Sequence, residues 1–252
     1  MLKYSIFALL LGACVRATAI LPESHSEPES LASARQLVVV VTPSWNATSG
    51  WLRRYERDAA AAQWLPVGAP TPVVIGRTGL AWGDSQLATR LDQPIKHEGD
   101  GRSPAGLFPL DTAFGFVERE MMASLRVPYV QLRDDSDCVD DVQSVHYNTV
   151  VDRSRVPSID WSSAERMRLI PQYRLGVIVG YNAAPPARGR GSCIFLHIWG
   201  GPSSTTAGCT AMEAGDIELL MRWLERARRP VIVQLPDSEY QRLRGPWRLP
   251  SP

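Results

Sequence analysis

Residues 36–42 read QLVVVVT, with four valines in a row at 38–41. β-Branched side chains are stiff about χ1 and suit a strand better than a helix. A strand apolar on both faces has to lie inside a sheet, with other strands on either side and layers above and below it. PSWN (43–46) ends the run with turn residues. Further strand candidates are TPVVIG (71–76), YVQLR (129–133), VHYNTVV (145–151), RLGVIVGY (174–181), SCIFLHIW (192–199) and VIVQL (231–235). Two helices are expected. Ser162 and Glu165 form a capping box ahead of AERMRL. Over 213–228, Ile217, Leu220, Met221 and Leu224 make an apolar stripe with Arg222, Arg226 and Arg228 off it, and Pro230 stops the helix. WLRRYERDAAAAQWLPV (51–67) fits a helix, with Trp51 and Tyr55 at helical spacing, or a hairpin strand over 52–58 with the alanines as its turn. Twenty prolines and 19 glycines suit many short elements. The expectation is one mainly β domain over 36–252.

The first 19 residues resemble a secretory signal peptide. Lys3 precedes an apolar run, YSIFALLLGACV, too short to span a bilayer, and Ala17-Thr18-Ala19 is an A-x-A cleavage site. LLGAC offers a rival reading as a lipoprotein box, with Cys14 as an envelope lipid anchor. Residues 20–35, rich in Ser, Glu and Pro, read as a disordered leader. The destination is the periplasm, the cell envelope or the medium. A net charge of +1 with scattered arginines argues against a nucleic-acid partner.

Cleavage after Ala19 leaves Cys138, Cys193 and Cys209, enough for one disulfide and one free thiol in an oxidising compartment. Which thiol is free decides the function. LHIWGGPSSTTAGCTAM (196–212) sets His197 twelve residues before Cys209. Read as a strand, CIFLHI turns Ile194, Leu196 and Ile198 to one face and Cys193, Phe195 and His197 to the other. Cys193 then lies about 13 Å along the strand from His197, too far to be the thiol it serves. Gly200, Gly201 and Pro202 turn the chain, and SSTTAG is long enough to bring Cys209 back toward His197. A thiol at the N-terminus of the following helix, beside an imidazole, is expected to have a lowered pKa. Backbone N–H groups around 208–210 could face an oxyanion. The plain alternative is that both side chains are ordinary core residues.

HIWGGPSSTTAGC resembles the active-site segment of the L,D-transpeptidase catalytic domain family (YkuD-like), which runs from a histidine through Ser/Thr and Gly to a nucleophilic cysteine. Upstream, KHEGDGRSPAGLFPL (96–110) resembles the family's TPxGxF segment through Ser103–Phe108, and VVIGRTGLAWG (73–83) its preceding strand and turn. HYNTVVD, WSSAERM and GSCIFLHIW look like those of one subgroup, and the likeness covers about 36–245. It implies a β-sandwich of mixed sheets with one main helix after the cysteine. It also implies an acyltransferase acting on peptidoglycan stem peptides through a Cys209 thioester, with His197 as base. Gly208 would serve the oxyanion site with the Cys209 N–H, and Ser204, Thr205 or Thr206 would supply hydroxyls. No metal or cofactor is implied, and a monomer is expected. Cys138 and Cys193 become the natural disulfide. The chain departs from the family at Ala207 and Ala211, where many members carry a histidine and an arginine or asparagine, and its His-to-Cys loop is shorter. The same thioester resolved by water would make an L,D-carboxypeptidase or amidase, and a silent wall-binding domain is a third reading.

Trp199, sharing the face of His197, could wall the cleft, and His146 could line it with Tyr147 and Asn148. Arg102 could take a stem carboxylate. DDSDCVDD (134–141) lacks the Gly and Glu of an EF-hand loop and reads as a solvated acidic loop.

Overall fold

In the computed structural model the valine run is β1 (Gln36–Thr42), with Leu37 and Val38–Val40 fully buried. It pairs in parallel with β14 (Val231–Pro236) and antiparallel with β2 (Ser49–Glu56). Each fully buried valine contributes roughly 1.5–3 kcal/mol. The structure describes residues 26–251 apart from 60, 85–86, 88–91 and 184. The signal peptide, its cleavage site and Cys14 lie outside the described residues.

The architecture is mainly β. Eleven strands form one curled mixed sheet in the order β4-β5-β14-β1-β2-β3-β13-β12-β11-β6-β7. The strands not yet placed are β3 (Leu65–Val74), β4 (Leu80–Trp82), β5 (Ser103–Pro109), β6 (Thr112–Gly115), β7 (Tyr129–Gln131), β11 (Leu175–Ile178), β12 (Phe195–Ile198) and β13 (Thr210–Met212). A separate sheet, in the order β10-β8-β9, contains β8 (Ser136–Val139), β9 (Val150–Asp152) and β10 (Ala164–Arg166). So wide a sheet cannot stay flat, because each strand pair adds twist.

Several local expectations change. β2 and β3 pair antiparallel as the two strands of a hairpin, so the helical spacing of Trp51 and Tyr55 has no structural role. The end of the expected leader is ordered as a short helix, α1 (Glu29–Ser33), with Leu31 buried. The buried Arg57 guanidinium holds it by donating to the carbonyls of Leu31, Ala32 and Ala34, and it stacks on Trp64 at 4.1 Å. The capping box at Ser162 starts no helix. Asp141 Oδ2 takes both the Ser162 amide and its hydroxyl at 2.7 Å, and Glu165 lies on β10. Residues 145–149 turn rather than extend, with Asn148 at φ 60. The acidic stretch 134–141 is not a solvated loop. Its centre is β8, and buried Asp137 pairs with Arg153 and Arg166 at 3.4 and 3.3 Å.

The main helix, α2 (Ala214–Trp223), starts on Glu213, whose carboxylate accepts from the Gly215 amide, and it buries Ile217, Leu220 and Met221. It stops five residues before the expected end. The buried Gln36 side chain donates to the Trp223 carbonyl and accepts from the Glu225 amide, both at 2.8 Å, so the chain is redirected at Leu224. A second helix, α3 (Asp237–Arg244), follows β14.

Two apolar clusters flank β12. Leu196 and Ile198 join the main core, while Phe195 packs with Phe114, Tyr173, Cys193 and Cys209 on the other face. The expected alternation therefore holds, with both faces buried. Cys193 itself precedes the strand, in left-handed backbone at φ 54.

Candidate active site

Cys138 and Cys193 form a disulfide with Cα atoms 6.0 Å apart, and Cys209 is the free cysteine among the described residues. The bridge ties the small sheet to the segment entering β12. Glu165 sits directly opposite Cys138 in the β10–β8 register.

β12 and β13 run in parallel, with Leu196 beside Thr210 and His197 beside Ala211. This pairing returns Cys209 to the His197 strand. Phe195 N–H donates to Cys209 Sγ at 3.3 Å, and the thiol donates to the Cys193 carbonyl at 3.4 Å. His197 and Cys209 line one cleft of about 270 Å³ with Glu165, Tyr173, Trp199 and Thr206. No hydrogen bond joins the imidazole to the thiol among the described residues. Cys209 also lines a second cleft of about 150 Å³ with Arg77, Lys96, Glu98, Asp140 and Glu165. A larger cavity of about 720 Å³, lined by Arg53, Arg244 and Arg248 among others, shares no lining residue with either cleft.

The expected activation of the thiol by a helix end is not what the structure contains. β13 separates Cys209 from α2, so the sulfur starts a strand rather than capping a helix. Burial, and then the charge of Glu165, push its pKa up, against the Phe195 amide, the Tyr173 hydroxyl and the charge of Lys96. Burial also holds His197 neutral, its pKa lowered to about 4. Its Nδ1 lies 2.8 Å from the Ile198 carbonyl, which can only accept, so the proton sits on Nδ1 and Nε2 keeps a free lone pair. Thiol and imidazole both rest uncharged.

The SPAGLF motif meets the cysteine through Ser103. The Gly76 amide donates to Ser103 Oγ at 2.9 Å, and Ser103 Oγ donates to the Cys209 carbonyl at 2.8 Å. Thr206 Oγ1 donates to the same carbonyl at 2.6 Å and accepts from the Gly208 amide at 3.1 Å. The Gly208 N–H and the Thr206 hydroxyl are therefore engaged with each other and with the Cys209 backbone. Ser204 Oγ donates to the Gly201 carbonyl at 2.7 Å, and Thr205 is exposed at the cleft. Trp199 is among the residues lining the cleft. His146 lines neither cleft; its ring meets Trp161 edge-on at 5.5 Å. Arg102 donates to the carbonyls of Leu80 and Trp45 and to Asn46, which ties it into the fold. Asn148 helps place the disulfide by accepting from the Cys193 amide at 2.9 Å.

Sequence reasoning missed Glu165 and Tyr173. Tyr173, in a 3-10 turn over Pro171–Arg174, donates to Glu165 at 2.6 Å, and its ring meets the His197 ring edge-on at 5.1 Å. Burial raises the Glu165 pKa to about 7, with Asp140 and Glu98 adding to the rise and the Tyr173 hydrogen bond opposing it. No pattern in the sequence pointed to this pair, since the capping-box reading had given Glu165 a role.

The chain matches no family model, no curated protein and no solved structure among those compared. Among the described residues no helix is long and apolar enough to cross a membrane, and no cluster of His, Cys, Asp and Glu is placed to hold a metal.

Proposed function

We propose that the chain is an exported cysteine acyltransferase of the L,D-transpeptidase kind, acting on peptidoglycan stem peptides through a thioester on Cys209, with His197 as general base. The observation that carries this reading is that Cys209, the unpaired cysteine among the described residues, shares a cleft with the imidazole on the neighbouring strand. The Cys209 sulfur attacks the carbonyl of the scissile peptide bond, the amine of the terminal residue leaves, and an acceptor amine then displaces the sulfur. Nε2 of His197 is the lone pair available to take a proton in these steps. Cys209 also lines a second cleft, which offers an acceptor room of its own and favours transfer over hydrolysis. Arg77, exposed at that cleft and without an ion pair among the described residues, is a better carboxylate partner than Arg102. The disulfide fits an oxidising, exported setting.

Incubation with purified muropeptide tetrapeptides, followed by mass spectrometry, tests the reading. Cross-linked dimers are expected. Tripeptides without dimers would mark a hydrolase, and unchanged substrate would leave a wall-binding domain. Turnover persisting in Cys209→Ala would rule out the thioester.

A further inference from the structure

The cavity of about 720 Å³ shares no lining residue with the two Cys209 clefts and has no part in the acyl-transfer reading. Five arginines line it, Arg53, Arg54, Arg57, Arg244 and Arg248, and no Asp or Glu among the described residues does. A guanidinium keeps its charge at any ordinary pH, so such a wall repels itself until anions fill the space.

Neighbouring carboxylates match only part of that charge. Glu27 serves both Arg57 and Arg248, at 3.8 and 3.9 Å. Arg54 lies over the Trp223 ring at 5.7 Å and feels the charges of Asp216 and Glu56. Arg53 and Arg244 make no hydrogen bond or ion pair among the described residues.

The fold assembles the wall from distant parts of the chain. The β2–β3 pairing shifts register between Leu52 and Arg54, and such a bulge breaks the alternation of a strand. Arg53 and Arg54, adjacent in sequence, therefore both line the cavity. Gly68, at φ 71, makes room for Arg54, because a Cβ there would sit 2.7 Å from its Nη2. The C-terminal segment is tied across by two tyrosines. Tyr55 Oη donates to the Ser251 carbonyl at 2.9 Å, and Tyr240 Oη to the Pro250 carbonyl at 2.8 Å. These ties bring Arg244 and Arg248 to the same space as the β2 arginines.

We propose that this cavity binds a ligand carrying several linked or clustered phosphate groups. A guanidinium fork meets phosphate oxygens in pairs, and several forks around one space suit several anionic groups. The volume is that of a small-molecule site, more than a single inorganic phosphate fills. The same chemistry is offered by a soluble phosphate chain and by phospholipid headgroups at a surface. The inference stands apart from the acyl-transfer reading, and its test needs no peptidoglycan.

The test is titration calorimetry of the full chain with sodium tripolyphosphate at low salt. Binding is expected, at least tenfold tighter than for inorganic phosphate and weakened by added salt. Arg53→Gln with Arg244→Gln should weaken it at least tenfold. Arg244→Gln alone, at an exposed position near the end of α3, should lose part of the affinity without touching the core. Arg174→Gln with Arg226→Gln removes the same charge from exposed positions that line none of the described cavities, and should leave binding within twofold of the native chain. Co-sedimentation with phosphatidylglycerol vesicles that tripolyphosphate reverses would identify headgroups as the source. Binding of tripolyphosphate without sedimentation would identify a soluble chain, and either result sustains the site. No heat of binding at millimolar tripolyphosphate overturns the proposal. So does an equal loss in the two double variants, which would reduce the effect to net charge.

Discussion

Ser103 Oγ donates to the carbonyl of Cys209 across 106 residues of chain, at 2.8 Å. The contact joins the two motifs that resemble one family. Ser103 also accepts from the Gly76 amide, so one buried hydroxyl fixes the start of β5, the turn after β3 and the residue before β13.

Ser103→Ala should therefore cost about 1–3 kcal/mol, mainly from the orphaned Gly76 N–H. The Cys209 carbonyl keeps Thr206 as a donor. Urea unfolding measures the loss, and a variant within 0.3 kcal/mol of the native chain would contradict the bond.

Gly76 has no room for a side chain. A Cβ there would meet the Gly101 carbonyl oxygen at 2.3 Å and the Ser103 nitrogen at 2.7 Å, both backbone atoms. Gly76→Ala is expected to destabilise by about 1–3 kcal/mol. It should also change the rate at which iodoacetamide alkylates Cys209, because the displaced segment includes Ser103, which holds the Cys209 carbonyl. Unaltered thermal unfolding would count against this packing.

The Cys138–Cys193 bridge closes a loop of 55 residues. Chain entropy assigns such a loop about 4 kcal/mol, and paired Cys138→Ser and Cys193→Ser substitutions should lose roughly 2–5 kcal/mol. Adding reductant to the native chain should reproduce that loss in denaturant titrations, with no further effect on the double variant.

Glu165 and His197 give stability opposite pH dependences. The Glu165 pKa is raised by burial from 4.5 to about 7, so its contribution is complete below pH 4.5 and lost as pH rises through 7. The His197 pKa is lowered from 6.5 to about 4, so its contribution is complete above pH 6.5 and lost as pH falls through 4. Between 4.5 and 6.5 the two oppose each other. Between 6.5 and 7.5 the fall due to Glu165 stands alone, and Glu165→Gln should flatten it. Over its full range the Glu165 contribution is on the order of 3 kcal/mol. Unfolding midpoints measured at half-unit pH intervals check this, and an unchanged slope in the variant would show that the carboxyl titrates in the ordinary range.

β1 was legible to the residue because a valine run carries its own instruction: stiff side chains, apolar on both faces, bounded by turn formers. The start of α2 was legible for a similar local reason, but its end was not. What ends it is the side chain of Gln36, 187 residues away, which no helix signal near Leu224 records. The same holds at the site. Cys209 and His197 lie twelve residues apart and could be paired from spacing and resemblance. Tyr173 and Glu165 come to the Cys209 cleft through the disulfide-tethered sheet and a 3-10 turn, an arrangement that exists only once the chain is folded. The resting charge of the thiol was misjudged because the intervening β13, and the depth at which it starts, are tertiary facts.

Cys209 makes its first bonds with two backbone groups, Phe195 N–H and Cys193 C=O, deep enough that only 5% of the residue meets solvent. A sulfur so enclosed offers little to a wandering disulfide, whose exchange needs an accessible thiolate. The chain can thus hold Cys138 and Cys193 in a bridge and still spare Cys209. The shielding that slows its chemistry also preserves it where unguarded thiols are consumed.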